Sequence, residues 1–178
     1  MKSNDILYSN GKNDECFTPD YGVVPILEYI PKSWTVWCPC DTENSNFVKL
    51  IRKNGNKVIS SHINEDKNFF DYEPQEHWDC IITNTPFTNK RAYFERALDL
   101  NKPFALLMTL TIFNDKYPMW SFYERNKQPQ LLKFDKRIEF EQVDGKIGNK
   151  ITFQSGYVCC DFLPNDLVLK KILERRNL

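Results

Sequence analysis

The chain has 178 residues, 41% of them hydrophobic, and its 24 Lys and Arg balance 24 Asp and Glu, so the formal net charge is zero. Such a chain suits one globular unit with a sizeable core, and the charge balance excludes a protein that holds a polyanion by its overall field. No apolar run approaches the ~20 residues that span a bilayer, and Met1-Lys2-Ser3-Asn4-Asp5 is too polar to start a secretory signal, so a cytoplasmic protein without membrane contact is expected.

Taken along the chain, residues 1–16 read as a polar arm and 17–178 as a single domain. Val23, Val24, Ile26, Leu27 and Ile30 predict a helix over 20–29, stopped by Pro31. A buried strand is expected over 35–38. A helix follows over 46–54, with Phe47, Leu50 and Ile51 inward and Gly55 as its left-handed cap, and then a strand over 57–60. Phe69 and Phe70 are expected to cover a sheet edge. Residues 79–83 predict a third strand, 91–100 a helix on Ala92, Phe94, Ala97 and Leu98, and the apolar run 104–108 a central strand of a parallel sheet.

The second half changes character. Residues 130–134, 137–142 and 150–162 alternate in the strand manner, with Asp144-Gly145 as a turn between the last two, and 167–173 predicts a terminal helix. The expected fold is therefore α/β: an open, twisted, mostly parallel Rossmann-like sheet finished by a C-terminal antiparallel hairpin. Ligands of such sheets bind beyond the carboxyl ends of the strands, which directs attention to 38–44, 61–64 and 83–87.

Six cysteines (Cys16, Cys38, Cys40, Cys80, Cys159, Cys160) are expected as reduced thiols, several of them inside apolar runs. Cys38 and Cys40 with the distant His62 lack the paired spacing of zinc modules, so no metal is expected.

The chemistry concentrates in Asn84-Thr85-Pro86-Phe87 at the end of the third strand. An aromatic amine is a poor nucleophile until acceptors draw on its hydrogens. The Asn84 side-chain oxygen and the Thr85 carbonyl, aimed by the constraint that Pro86 puts on residue 85, supply two acceptors, and Phe87 supplies a ring for a flipped base. Methylation of an exocyclic amino group follows. The same geometry would serve a base in RNA or a protein side-chain amide.

Further short matches stand in order: Phe17-Thr18-Pro19, Val36-Trp37-Cys38-Pro39, Val58-Ile59-Ser60-Ser61-His62-Ile63, Asn68-Phe69-Phe70, Lys102-Pro103-Phe104-Ala105-Leu106-Leu107 and Lys136-Arg137-Ile138-Glu139-Phe140. With the tetrapeptide, they make the stretch from Phe17 to Leu163 resemble the small phage and prophage adenine-specific DNA methyltransferases. The resemblance implies a Rossmann-like fold, S-adenosylmethionine as methyl donor, DNA as partner and Asn84, Thr85, Pro86 and Phe87 as the catalytic motif. It also implies a donor site made from Thr18 and Pro19, from the 38–45 turn with Cys38, Pro39, Cys40 and Asp41, from His62 at the place of a ribose-binding acid, and from Asn68 and Phe69 beside the donor's adenine.

This sequence departs from that pattern in the donor site. The 38–45 turn has no glycine, Thr42 and Asn44 carry side chains where hydrogens are usual, and His62 replaces a carboxylate that Asp41 or Glu43 would have to substitute. Two readings follow: a phage-type adenine methyltransferase, and an inactive methyltransferase-like module that binds DNA or a host defence protein as a counter-defence factor. Either nucleic-acid role needs a local basic patch, for which Lys49-Arg52-Lys53, Lys90-Arg91-Arg96 and Lys170-Lys171-Arg175-Arg176 are candidates. The stretch 114–130, with Trp120, Phe122, Tyr123, Arg125 and Lys127, is either a base-reading loop or a segment that buries Trp120 and Phe122 against the sheet.

Overall fold

Short apolar runs bounded by Pro, Gly or Asn become the strands of one sheet, and the amphipathic segments between them become its helices. The computed structural model describes residues 16–86, 89–142 and 153–172. In chain order the elements are β1 (Cys16–Phe17), α1 (Asp20–Leu27), β2 (Thr35–Cys38), α2 (Asn46–Lys53), β3 (Lys57–Ser60), β4 (Cys80–Asn84), α3 (Lys90–Asp99), β5 (Phe104–Thr109), α4 (Tyr117–Glu124), β6 (Gln130–Phe134), β7 (Glu141–Gln142), β8 (Ser155–Cys160) and β9 (Leu167–Lys170), with short 3-10 turns at Ile63–Glu65 and Leu110–Asn114.

Seven strands form the main sheet in the order β3-β2-β4-β5-β8-β6-β9. The first four run parallel, β8 runs antiparallel to both β5 and β6, and β9 returns parallel to β6. The result is the expected open α/β sheet, mostly parallel with an antiparallel insertion.

Strand alternation builds two cores, one on each face. Val36 and Cys38 of β2, Ile82 of β4 and Leu107 of β5 pack with Val23 and Ile26 of α1 and Phe47 and Ile51 of α2. Their neighbours Trp37, Ile81, Phe104 and Leu106 point the other way, onto Phe69, Trp78, Phe94 of α3 and Phe122 of α4. Helix α2 is held at both ends. Ser45 caps it by accepting from the Val48 N–H at 3.2 Å, and Gly55 follows at φ 95°, a conformation that costs a residue without a Cβ least.

The carboxyl-terminal third departs from the sequence expectation in three places. Residues 167–170 form edge strand β9 rather than a helix: Leu-Val-Leu-Lys fits either period, and the free edge of β6 decides it. Of the strand expected over 137–142 only Glu141–Gln142 forms, and it pairs with Cys16–Phe17 in a separate two-stranded ladder. The antiparallel partners of β8 are β5 and β6, so the expected pairing of 137–142 with 150–162 does not form among the described residues. The Asp144-Gly145 turn, residues 1–15 of the arm, Phe87, and Arg175 and Arg176 lie outside the described residues.

Helix α4 occupies 117–124, where a loop was one of the two expectations. Phe122 is buried beside Phe94, with ring centroids 5.3 Å apart, whereas Trp120 is 60% exposed. The capping role is therefore half right, because a helix of this length can turn only one face to the sheet.

Candidate functional site

Strand β2 lies between β3 and β4, and the chain leaves it toward β3 first and crosses back to β4 afterwards. The two connections diverge at the carboxyl ends of β2 and β4, so a crevice opens there. Its volume is about 280 Å³, close to the lower bound of ~300 Å³ for small-molecule sites.

The turn after β2 forms one wall. Pro39, Cys40, Asp41 and Thr42 line the crevice, while Cys38 lies wholly in the core and does not reach it. Cys38 packs in the core because the last strand residue alternates inward. A backbone and a side-chain hydrogen bond hold the turn without any glycine. The Ser61 N–H donates to the Cys38 carbonyl at 3.1 Å, and the Trp37 indole N–H donates to Ser61 Oγ at 2.9 Å. The side chains of 38–45 leave the crevice open.

Asp41 is the charged group of that wall. It is 7% exposed, and its carboxylate accepts from the Thr83 hydroxyl at 2.6 Å and from the Ser45 hydroxyl. Burial disfavours its charge and pushes it up to about 6, against the pull of those two hydroxyls. Glu43 behaves oppositely. Its carboxylate takes both nitrogens of Arg52 and the Ser60 hydroxyl on the outer surface, is held down at about 2 chiefly by Arg52, and does not line the crevice. Of the two acids that could substitute for the missing ribose carboxylate, only Asp41 faces inward.

The far end carries His62, Asn68 and Phe69. His62 caps the 3-10 turn, with Nδ1 accepting from the Asn64 N–H at 3.2 Å. With Nδ1 taken up by that N–H, this nitrogen is not offered to a ligand as the acceptor expected of a carboxylate's replacement. Asn68 Oδ1 accepts from the Phe70 N–H at 3.2 Å, an Asx turn that fixes the aromatic pair. Phe69 stacks parallel on Tyr93 of α3 at 5.8 Å and leans on Trp37 at 5.4 Å, giving the crevice an apolar flank.

Thr18 closes the near end. Its carbonyl accepts from Asn46 Nδ2 at 2.8 Å, which ties it to the first turn of α2. Its hydroxyl is buried with no hydrogen-bond partner among the described residues. Gly22 lets Thr18 sit there, since a Cβ at 22 would meet the Thr18 methyl at 3.0 Å. Pro19 starts α1 and does not line the crevice.

Asn84 ends β4 opposite Leu107 and lines the crevice, as does Pro86. Between them Thr85 is buried. Its N–H donates to the Leu107 carbonyl at 3.2 Å and its hydroxyl lies 3.5 Å from the same oxygen, so this side chain faces β5 and not the crevice. The structure thus brings Thr18, Pro39, Cys40, Asp41, His62, Asn68, Phe69, Asn84 and Pro86 to one place, while Pro19 and Cys38 do not line it and the Thr85 side chain turns away.

Lining residues that the sequence reading missed include Phe17, Asn46, Phe47 and Tyr93. Tyr93 had a signal: on a helix whose inward face is Phe94, Ala97 and Leu98, it stands one step toward the end of β4. Burial pushes the Cys40 thiol up, so it is an inert wall rather than a nucleophile. Among the described residues, no group of three or more His, Cys, Asp or Glu could hold a metal ion, and no helix is long and apolar enough to cross a membrane.

No protein-family model and no curated protein sequence matches the chain. Among solved structures, a Listeria monocytogenes protein described as a class I S-adenosylmethionine-dependent methyltransferase superposes with a TM-score of 0.54 at 10% identity, over 97% of this chain and 74% of that one. The fold is that of the class I methyltransferases. A second structure, described as a methyltransferase from Thermoplasma acidophilum, covers 79% of this chain and 60% of its own at 11% identity, but its TM-score of 0.38 is too low to carry weight. In the class I fold found here, the crevice lies at the switch point between β2 and β4.

Proposed function

We propose that the chain transfers a methyl group from S-adenosylmethionine to the exocyclic amino group of adenine in DNA, as a phage-type methyltransferase. The observation that carries this reading is the position of Asn84: its side chain lines the same crevice as a buried carboxylate and an aromatic flank, at the switch point of a class I methyltransferase fold. The residues also suit the donor. Thr18 offers a buried hydroxyl with no partner among the described residues, Asp41 an anion, and Phe69 with Tyr93 an apolar surface for a nucleoside. When bound, S-adenosylmethionine supplies an electrophilic methyl carried on a sulfonium.

The chain's own part is positioning. The Asn84 amide oxygen accepts one hydrogen of the target amine and the Thr85 carbonyl the other, with the Thr85 N–H donating to the Leu107 carbonyl and so fixing the segment to β5. These acceptors raise the nitrogen's nucleophilicity without a general base or a covalent intermediate. DNA would approach over Lys90 and Arg91, which open α3 directly after this segment, and over the exposed rings of Trp120 and Tyr123 on α4.

Two measurements test the proposal together. S-adenosylmethionine should raise the melting temperature of the protein, and labelled methyl should appear on adenine in DNA. Asn84→Ala should abolish incorporation while the melting shift survives. A wild-type protein that neither shifts nor methylates DNA overturns the reading, and incorporation by the Asn84→Ala variant removes Asn84 from its role.

A further inference from the structure

Among the described residues, the seven-stranded sheet ends in two edge strands, β3 and β9. An open edge is a template for another strand, and proteins commonly guard it with charge, lysine above all. Strand β3 follows that rule, since its exposed residue is Lys57. Strand β9 does the opposite. Leu167 is 56% exposed and Leu169 is 70% exposed, whereas the charged side chain of the strand, Lys170, is drawn back onto the residues that follow α1, where it pairs with Glu28 and lies over the Tyr29 ring at 5.2 Å.

Both ends of β9 are already fixed to β6, which lowers the ordering cost of adding a strand. Gln130 Oε1 accepts from the N–H groups of Phe162 and Leu163 ahead of β9, both at 2.8 Å, and Asp135 Oδ1 accepts from the Ile172 N–H after it at 2.9 Å. Strand alternation then sorts the groups in between. The Asp166 and Lys170 carbonyls accept from the N–H groups of Leu131 and Asp135, so residues of that parity turn their backbone toward β6, and Leu167 and Leu169 turn theirs to the open edge. Val168 packs on the first core and Lys170 reaches toward α1, so the two leucine side chains project from the opposite face, Leu167 beside Leu131 of β6.

We propose that β9 pairs antiparallel with β9 of a second copy of this chain, about a two-fold axis normal to the sheet, so that one sheet runs through both copies. A strand complementary to itself closes in this way without propagating further. Complementarity also sets the register. With Val168 facing its own symmetry mate on the axis, Leu167 of each chain stands opposite Leu169 of the other. Both leucines have outward backbone groups, so each such pair exchanges both N–H···O bonds and joins its side chains on one face. On the other face the exposed Asp166 then stands opposite Lys170 of the second copy, which sits between that carboxylate and its own Glu28. A slip of two residues either way sets Asp166 opposite Val168 or Ile172 and loses that ion pair. The crevices beyond β2 and β4 lie toward the far edge of each sheet, clear of the seam, and open in opposite directions.

Sedimentation velocity on the full chain tests the pairing. A seam of one short strand is small, so a reversible dimer with a dissociation constant of about 1–100 μM is expected. Leu169→Lys, which puts the usual guard on the edge, should raise that constant by about tenfold or more and leave the melting temperature unchanged, because the residue is exposed. Val168→Cys should give a disulfide-linked dimer under mild oxidation where wild type gives none, since residues facing each other in a non-hydrogen-bonded antiparallel pair have Cα atoms about 4.5 Å apart. Should Val168→Cys fold poorly, a mixture of Asp166→Cys and Lys170→Cys chains should cross-link in its place, each alone remaining uncrosslinked. A wild type that stays monomeric at about 100 μM assigns the edge to another occupant and overturns the proposal. So does a dimer that Leu169→Lys leaves equally tight, or one that neither cysteine arrangement cross-links.

Discussion

The two walls of the crevice are built on opposite principles. The turn after β2 presents a charge: the Asp41 carboxylate is held by side-chain hydroxyls, and Ser61 laces the turn to the end of β3 through a backbone bridge to Asp41 and the Trp37 indole. The segment after β4 presents an amide, and what holds it is backbone, since the Thr85 N–H is pinned to Leu107 of the adjacent strand. A wall that relies on charge responds to pH and to the cation it meets. A wall that relies on backbone anchoring keeps its geometry and loses function only when its one projecting group is removed. Thr83 is the hinge between them, because its hydroxyl bonds Asp41 while its peptide leads into Asn84.

Five experiments would break or sharpen that contrast. The largest effect is expected from Asn84→Ala, with methyl transfer falling by about 10²-fold or more, as for loss of a polar group that acts at the reacting atoms, and donor affinity little changed. The next comes from acid. With Asp41 pushed up to about 6, affinity for S-adenosylmethionine should rise about tenfold between pH 5 and pH 7 and lie flatter in Asp41→Asn. The other titratable groups around Asp41 are Cys38, Cys40 and Tyr157, which burial keeps neutral across that range.

For folding the sign is reversed. Because Asp41 stands above its ordinary value of 3.8, its contribution to stability is fully present below that value and is lost as pH rises through about 6. Chemical denaturation of wild type and Asp41→Asn across that window checks it.

A smaller effect is expected from Thr83→Val. Removing one of the two hydroxyls on a buried carboxylate should destabilise the fold by about 1–3 kcal/mol and move the midpoint of the donor-binding pH profile upward. If both walls were held by backbone, that midpoint would not move. The smallest belongs to Glu43→Gln. Its pair with Arg52 is about half exposed and therefore screened, so about 0–1 kcal/mol of stability and no change in donor affinity are expected from melting and titration.

Legibility in the sequence follows the same divide between local and distant causes. β2, α2 and β5 could be read nearly residue by residue, because buried parallel strands are continuous apolar runs and the Ser45 cap and Gly55 stop are local signals. β9 was read as a helix, because its apolar residues satisfy both periods and only the open edge of β6 selects the strand. In the site, Asn84, Asp41 and Thr18 could be named from motif order. That Glu43 turns outward while Asp41 turns inward could not, since it depends on Arg52 nine residues away and Thr83 forty-two away.

The amino-acid order by itself determined that this chain forms an open, mostly parallel α/β sheet with an amide-bearing turn at the end of a buried strand, since period, capping and turn chemistry act between near neighbours. Only the tertiary structure decided which acid faces the crevice, that a turn without glycine leaves it open, that His62 Nδ1 is taken up by the Asn64 N–H, and that Tyr93 joins Phe69 as its flank. Those outcomes depend on contacts between segments far apart in the chain, and the energy of such a contact exists only once the sheet has brought its partners together.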